Sequence, residues 1–251
     1  MKRFFSLMRR LANCQLPIAN CLPIVIGMPL TQKHRIALCL LPLALLLSDA
    51  ALAHTINYQL EQQPSHYVFW YYLKLGYQHI MPYGFDHILF VVGLCLLSEK
   101  IKTIIWQATA FTIAHSVTLT LAMKGIIAPQ SSIIEPIIAL SIVFVAIENL
   151  IVSELKPWRI AVVFMFGLIH GCGFASSLNE LGLPRNAFGL SLFSFNVGVE
   201  LGQITIILSV YFLLTKWFAS RTWYRPRIVY PISICIAMIA LYWTVQRVFL
   251  V

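Results

Sequence analysis

Six long apolar runs, separated by short polar stretches, form the main pattern of this chain from about residue 85 onward. The runs cover residues 85–97, 103–123, 133–152, 158–178, 188–215 and 228–249. A spanning helix needs about 20 consecutive apolar residues, so most of these runs are long enough to cross a bilayer. The first run is short by this measure unless the segment before it also enters the membrane. The pattern predicts an all-α integral membrane protein with about six transmembrane helices.

Two stretches predict local departures from regular spanning helices. The sequence "SHYVFWYYLKLGYQHI" at 65–80 is rich in Trp and Tyr, which favours a helix lying along the membrane interface. Pro82 and Gly84 follow it and predict a helix interruption. The small residues of "HGCGFASS" at 170–177 predict close helix packing and a non-regular turn. Transporters commonly build ion sites from such interrupted helices.

The N-terminal 53 residues have the features of a leader. Residues 33–53 combine a positive start, an apolar run and a small-x-small end, which predicts a signal peptide cleaved before His54. Upstream, "ANCQLPI" is followed at once by "ANCLPI", which indicates an over-extended start covering residues 1–27. The sequence therefore predicts a leader at 1–53 and one six-helix membrane domain at 54–251.

Composition agrees with a membrane protein and excludes two classes of partner. The chain is 59% hydrophobic and 11% charged, whereas soluble domains carry about 25% charged residues. The net charge of +9 is concentrated in the leader. The chain has no basic face with interleaved aromatic residues, so nucleic-acid binding is not predicted. The sequence contains no Gly-rich phosphate loop, so a nucleotide site is not predicted. Cys95, Cys172 and Cys235 are scattered through apolar runs and imply no disulfide framework.

Charge in the connecting loops predicts the orientation. Alternate loops are basic, and they contain Lys100, Lys102, Lys156, Arg159, Lys216, Arg221, Arg225 and Arg227. The opposite side has only Lys74, Lys124, Arg185 and Arg247. Because basic loops stay in the cytoplasm, both mature termini are expected outside a multi-pass protein of the cell membrane.

Polar residues inside the spans mark the candidate site. One carboxylate at mid-bilayer costs about 2.5–3.5 kcal/mol, so intramembrane acids must face the bundle interior and find partners. Helical rise orders them by depth: Asp86 and His87 near the outer face, His115 and His170 about 18 Å from the inner end of their helices. This order predicts a ladder of polar side chains across the membrane.

Imidazole and carboxylate donors together favour a divalent ion such as Ni²⁺, Co²⁺ or Zn²⁺ over Na⁺ or K⁺. The predicted translocation site consists of Asp86, His87, His115, His170, Asn196 and Glu200, with Glu148 near the exit and His79 at the mouth. Additional polar lining is expected from Glu135, Asn149 and Gln203. His54 would be an outer capture ligand, because its imidazole and the new α-amine can chelate one ion.

Several of these residues also have purely structural interpretations. Glu135 fits a Ser-x-x-Glu capping box at the start of the third span. The amides of Asn149 and Gln203 fit hydrogen bonds between helices, and the His115 imidazole could hydrogen-bond Ser116 or a neighbouring backbone group. His66 and Cys172 are expected to be, respectively, a surface residue and a small packing residue.

Five ordered blocks carry a resemblance to a known family. They are "GYQHIMPYGFDHILFVVGL", "FTIAHSVTL", "IIEPIIALSIVFVAIENL", "FGLIHGCGFASSL" and "SFNVGVELGQ". Over roughly residues 70–205 the chain resembles the HupE/UreJ family of nickel/cobalt-type membrane permeases. The family signature places five residues between a His and an Asp-His pair, whereas six separate His79 from Asp86 here.

The resemblance implies about six spans, a cleaved signal peptide and passage of nickel or cobalt toward hydrogenase or urease maturation proteins. It implies a permease without a permanently bound cofactor, and not an enzyme. The residues leave two alternatives open. Three histidines with Asp86 and Ser116 could form a zinc-dependent intramembrane hydrolase, although no His-x-x-x-His pair is present and the carboxylates are spread in depth. An assembly partner without transport would explain the spans but not the polar residues.

Overall fold

Helices form every regular element in the computed structural model, which describes residues 58–152 and 155–249. The α-helices are α1 Tyr58–Glu61, α2 Ser65–Ile80, α3 Phe85–Leu96, α4 Ile101–Met123, α5 Ser131–Ile151, α6 Arg159–Leu181, α7 Phe188–Val210, α8 Lys216–Phe218 and α9 Tyr230–Phe249. A 3₁₀ turn at Arg185–Ala187 precedes α7, and π-helical turns at Tyr211–Thr215 and Arg225–Val229 lead into α8 and α9. All of these residues belong to one compact unit.

Six membrane-spanning segments can be assigned by length and hydropathy. Five continuous helical segments qualify: Ile101–Met123, Ser131–Ile151, Arg159–Leu181, Arg185–Phe218 and Arg225–Phe249. The sixth is the pair α2 and α3, which are bent by 67° at a short break. The prediction of an all-α membrane protein with about six spans and an interruption near Pro82 and Gly84 is therefore confirmed. The predicted leader lies outside the described residues.

The structure corrects the prediction of an interfacial helix at 65–80. Helix α2 packs lengthwise against α7, because Gly198 approaches Leu73 and Tyr77, and Gly202 approaches Ile80. The two helices run in the same direction along this contact. Ile80 is thus at the level of the middle of a spanning helix, about 20 Å along α7 from its start by helical rise. The exposed aromatic residues Tyr67, Trp70 and Tyr71 suggested an interfacial helix, but they lie on the outer side of a helix that packs against α7.

A second parallel pair, α4 with α6, uses the same kind of contact. Gly167 lies against the backbone of Phe111, and Gly171 lies against the carbonyl of His115 and the hydroxyl of Thr118. Small residues let helix backbones approach closely in membranes, so the predicted close packing at 170–177 is confirmed. The predicted irregular turn there is wrong, since α6 continues as a regular helix to Leu181.

Helices α5 and α9 form an antiparallel pair whose ends are fastened by arginines. At one end Arg225 donates to the carbonyls of Asn149 and Val152, and at the other Arg247 donates to the carbonyl of Glu135. The first of these ends carries the basic stretches at 98–102, 155–159 and 216–227, and is called the basic end below. The other is called the opposite end.

Candidate metal site

Four imidazoles from four different helices converge in the interior. His79 is in the last turn of α2, His87 in the first turn of α3, His115 in α4 and His170 in α6. The ring centroid of His87 lies 4.7 Å from that of His79, 5.1 Å from that of His170 and 6.0 Å from that of His115. These four residues are called the histidine cluster below.

The cluster is buried and its nitrogen atoms are largely unpaired. His87, His115 and His170 are buried, with His115 having no exposed surface. Neither ring nitrogen of His115 has a hydrogen-bond partner, nor do Nε2 of His79, Nε2 of His87 and Nδ1 of His170. Leaving a buried polar atom unpaired costs about 1–3 kcal/mol. Several such atoms in one place therefore require a compensating role, and imidazole nitrogen is the commonest metal-binding group in proteins.

This convergence corrects the predicted ladder. His87 was expected near the outer face and His170 in the middle of the membrane, yet their rings are neighbours. The helix break explains the difference, because α2 reaches the middle of α7 before the chain turns at 81–84 and starts α3. The turn also accommodates the sixth residue between His79 and Asp86, so the longer spacing does not move His87 away from His79.

A cavity of about 640 Å³ leads to the cluster from the opposite end. Its lining includes the cluster members His79, His87 and His170, together with Asp86 and Arg247. The Asp86 carboxylate is not free, because Arg247 Nη2 lies 2.9 Å from Oδ2 and 3.2 Å from Oδ1. Asp86 therefore lies on the wall of the cavity with its charge already neutralised by an arginine from the last span.

Glu135 also lines this cavity, which fits the prediction of polar lining. Its alternative role in a capping box is wrong, because α5 begins one residue before Ser132 and its N-cap, Gln130, makes no side-chain cap hydrogen bond. Pro136 continues the helix without breaking it.

A second polar group lies between α4 and α7. Thr109 Oγ1 donates to Glu200 Oε1 at 2.6 Å, and Thr112 Oγ1 donates to Gln203 Oε1 at 3.2 Å. Glu200 Oε2 is buried without a partner. Asn196 donates to the Leu192 carbonyl of its own helix, which leaves its Oδ1 unpaired.

Near the basic end, Glu148 faces Arg159 in a buried ion pair. Arg159 Nε lies 3.2 Å from Glu148 Oε2, and the two side chains are only 2% and 4% exposed. The contact is electrostatic, since Nε does not point at the oxygen well enough for a hydrogen bond. Asn149 next to it donates to the Gly93 carbonyl at 2.8 Å. The predicted interhelical role of Asn149 is thus confirmed.

The structure also settles several smaller predictions. His66 is exposed, and Cys95, Cys172 and Cys235 are free thiols. Ser116 donates to the Thr112 carbonyl at 2.6 Å and not to His115. Neither ring nitrogen of His115 has a hydrogen-bond partner, so the hydrogen bond proposed between His115 and Ser116 is not formed. His54 lies outside the described residues, and its role as a capture ligand stays a prediction.

Three polar residues of this region were missed by the sequence interpretation. Ser141 was not considered, although its Oγ lies 3.0 Å from His170 Nε2. Arg159 and Arg247 were counted only as loop charges. An arginine inside an apolar segment is itself a sign of a functional or paired site, and that sign was present at Arg247 in the sixth run.

In the arrangement described here, no three His, Cys, Asp or Glu side chains of residues 58–152 and 155–249 are positioned to hold a metal ion together. The histidine cluster is therefore a group of converging, unpaired donors and not a closed metal cage. Closed cages are typical of structural metal sites, whereas sites that act on or pass an ion keep open positions.

The helical spans and the bent helix pair define a multi-pass membrane protein. Comparison with family models gives a match to the HupE / UreJ protein family over residues 54–247. The chain belongs to this family, whose members are associated with nickel or cobalt uptake and are transporters and not enzymes. Comparisons with curated proteins and with solved structures gave no match.

Proposed function

We propose that this protein is a permease that passes a divalent transition-metal ion, Ni²⁺ or Co²⁺, through the cell membrane, with the histidine cluster as its central binding station. The observation that carries the proposal is the convergence of three buried imidazoles and the half-buried His79, all with unpaired nitrogen atoms, at a helix break. Imidazole donors suit Ni²⁺, Co²⁺ and Zn²⁺, and the family association favours the first two.

The polar groups support an order of passage. An ion from the opposite end meets Asp86 and Glu135 in the cavity, then the cluster, then Glu200 between α4 and α7. The buried Glu148–Arg159 pair closes the path toward the basic end. Because basic loops face the cytoplasm, this order corresponds to uptake from an outward-open state.

An incomplete donor set supports transport over storage. Conduction requires binding that is favourable enough to admit the ion and weak enough to release it. Converging imidazoles that do not form a closed cage meet this requirement when bound water completes the coordination of the ion. Asp86 would contribute once Arg247 moves away from it.

The proteins that receive the metal inside the cell are part of the same proposal. With no nucleotide-binding motif in the sequence, the protein would act as a facilitator or a gradient-coupled permease. Trapping of the ion by hydrogenase or urease maturation proteins would then sustain the flux.

The proposal is tested by uptake of radiolabelled Ni²⁺ into cells that express the chain, with His115→Leu as the variant. The His115 side chain makes no hydrogen bond in the protein, so its replacement removes metal-binding nitrogen without breaking a hydrogen bond. We expect uptake to fall at least about tenfold, equivalent to roughly 1.4 kcal/mol. Expression and thermal stability should be unchanged or improved, because the unpaired buried atoms are gone.

The same substitution at the exposed His66 is the matched control and should leave uptake unchanged. Wild-type uptake in the His115→Leu variant would exclude the cluster as the binding station. No uptake by the wild-type chain, at normal expression, would exclude the permease function as a whole.

A further inference from the structure

Ser141 makes the one hydrogen bond that joins a cluster imidazole to another side chain in the described part of the chain. Its Oγ lies 3.0 Å from Nε2 of His170. Ser141 is 2% exposed and His170 is 1% exposed, so no bulk solvent competes for this contact. The serine lies on α5 and the histidine on α6.

A second contact of the same hydroxyl favours one direction for this bond. Ser141 Oγ also lies 2.7 Å from the carbonyl oxygen of Ile138, which can only accept and is closer than His170 Nε2. When the single hydroxyl hydrogen is directed at Ile138, Oγ accepts from His170. It follows that Nε2 of His170 carries the ring hydrogen, while Nδ1 keeps its lone pair. That same Nδ1 is buried and has no partner in the protein.

We infer that Ser141 is a positioning residue of the metal site, which holds the His170 ring in the tautomer and orientation that present Nδ1 to the ion. The inference rests on the proposed function and adds a residue from α5, a helix that contributes no imidazole to the cluster. A metal-binding histidine commonly donates its other ring N–H to an acceptor, which fixes the tautomer and the ring orientation. Loss of such an acceptor typically lowers metal affinity by about 10–100-fold.

The hydroxyl can be tested separately from the shape of the side chain. Ser141→Thr keeps a hydroxyl, whereas Ser141→Val has nearly the same shape as threonine without it. Ser141→Ala removes the hydroxyl without adding volume. Ser233→Ala is the matched control, because Ser233 is fully buried in α9 and its hydroxyl has no partner.

The measurement is titration of the purified full-length protein with Co²⁺, followed by the visible d–d absorption of the bound ion. Ser141→Val and Ser141→Ala should weaken Co²⁺ binding about tenfold or more, with a changed absorption band. Ser141→Thr and Ser233→Ala should stay close to wild type. In cells, the half-saturating Ni²⁺ concentration should rise by a similar factor, while the uptake rate at saturation changes little.

Equal behaviour of Ser141→Thr and Ser141→Val, with Ser141→Ala binding like the wild type, would overturn the inference. If the added methyl group weakens both larger variants, the comparison of Ser141→Ala with Ser233→Ala decides. A wild-type protein that neither binds Co²⁺ nor takes up Ni²⁺ would instead contradict the proposed function. Failure of the inference about Ser141 and failure of the proposed function therefore give different results.

Discussion

At the scale of single residues, the intramembrane polar side chains fall into two kinds that differ in their partners. The cluster imidazoles have unpaired nitrogens, whereas three carboxylates are engaged: Asp86 by Arg247, Glu148 by Arg159 and Glu200 by Thr109. Pairing makes each buried negative charge tolerable in a medium where an isolated one is costly. The unpaired imidazole nitrogens are concentrated in one place, and these are the groups that are available to bind a metal.

Glu200 allows charge and hydrogen bonding to be separated. Glu200→Gln keeps an oxygen that can accept from Thr109 but removes the negative charge, and we expect Ni²⁺ uptake to fall at least about tenfold. Thr109→Val keeps the charge and removes only the hydroxyl donor, so uptake should stay within about threefold of the wild type. The measurement is the initial rate of radiolabelled uptake, normalised to expression. Similar rates in Glu200→Gln and the wild type would remove Glu200 from the translocation path.

At the scale of secondary-structure elements, the position of the cluster depends on how closely α2 lies against α7. The middle of α7 carries Gly198 and Gly202 on the face that meets α2, and a methyl group at Gly198 would collide with backbone atoms of Leu73 and Tyr77. Backbone cannot move aside as a side-chain end can. His79, two residues beyond Tyr77 in α2, would be displaced together with its helix.

This contact predicts a difference between two glycine substitutions. Gly198→Ala should lower the midpoint of thermal unfolding in detergent by roughly 5 °C, since overpacking costs about 1–3 kcal/mol, and it should weaken uptake. Gly93→Ala is the control, because its added carbon would meet only the side chain of Val145, at 2.9 Å, and no backbone atom. Equal decreases of the unfolding midpoint in Gly198→Ala and Gly93→Ala would show that the α2–α7 contact is no tighter than the contact of Gly93 with Val145.

At the scale of the whole molecule, the two ends of the helix bundle differ in charge and in access to the cluster. The cavity opens on the end that has few basic residues, and the Glu148–Arg159 pair is near the basic end. Cytoplasmic loops of membrane proteins carry an excess of Lys and Arg. Charge distribution and cavity position therefore favour the same orientation.

That orientation places both ends of the mature chain outside. A reporter that is active only in the cytoplasm, fused to the C-terminus of the full chain, should give no signal. The same reporter inserted in the connection at 219–224 should be active, which controls for expression. A strong signal from the C-terminal fusion would invert the proposed direction of access to the cavity.

The sequence by itself determined the membrane class, the six spans and most candidate residues. Apolar run length and loop charge are local properties, and burying an ionisable group in lipid is costly enough to make residues such as His115 and Glu200 stand out in the sequence. The break at Pro82 and Gly84 was readable for the same reason, because both residues act on their own backbone.

Only the tertiary structure decided which of these residues meet. Depth counted along single helices placed His87 and His170 on different levels, since the count assumed that the first span begins at residue 85. The glycine contacts of α7 with α2 move the start of that span to Ser65 and bring His79 and His87 into the middle of the bundle. The partners Arg247 for Asp86 and Ser141 for His170 are 161 and 29 residues away in the chain. Such pairs are set by helix packing, which depends on the shapes of two surfaces and leaves no periodic signal in either segment.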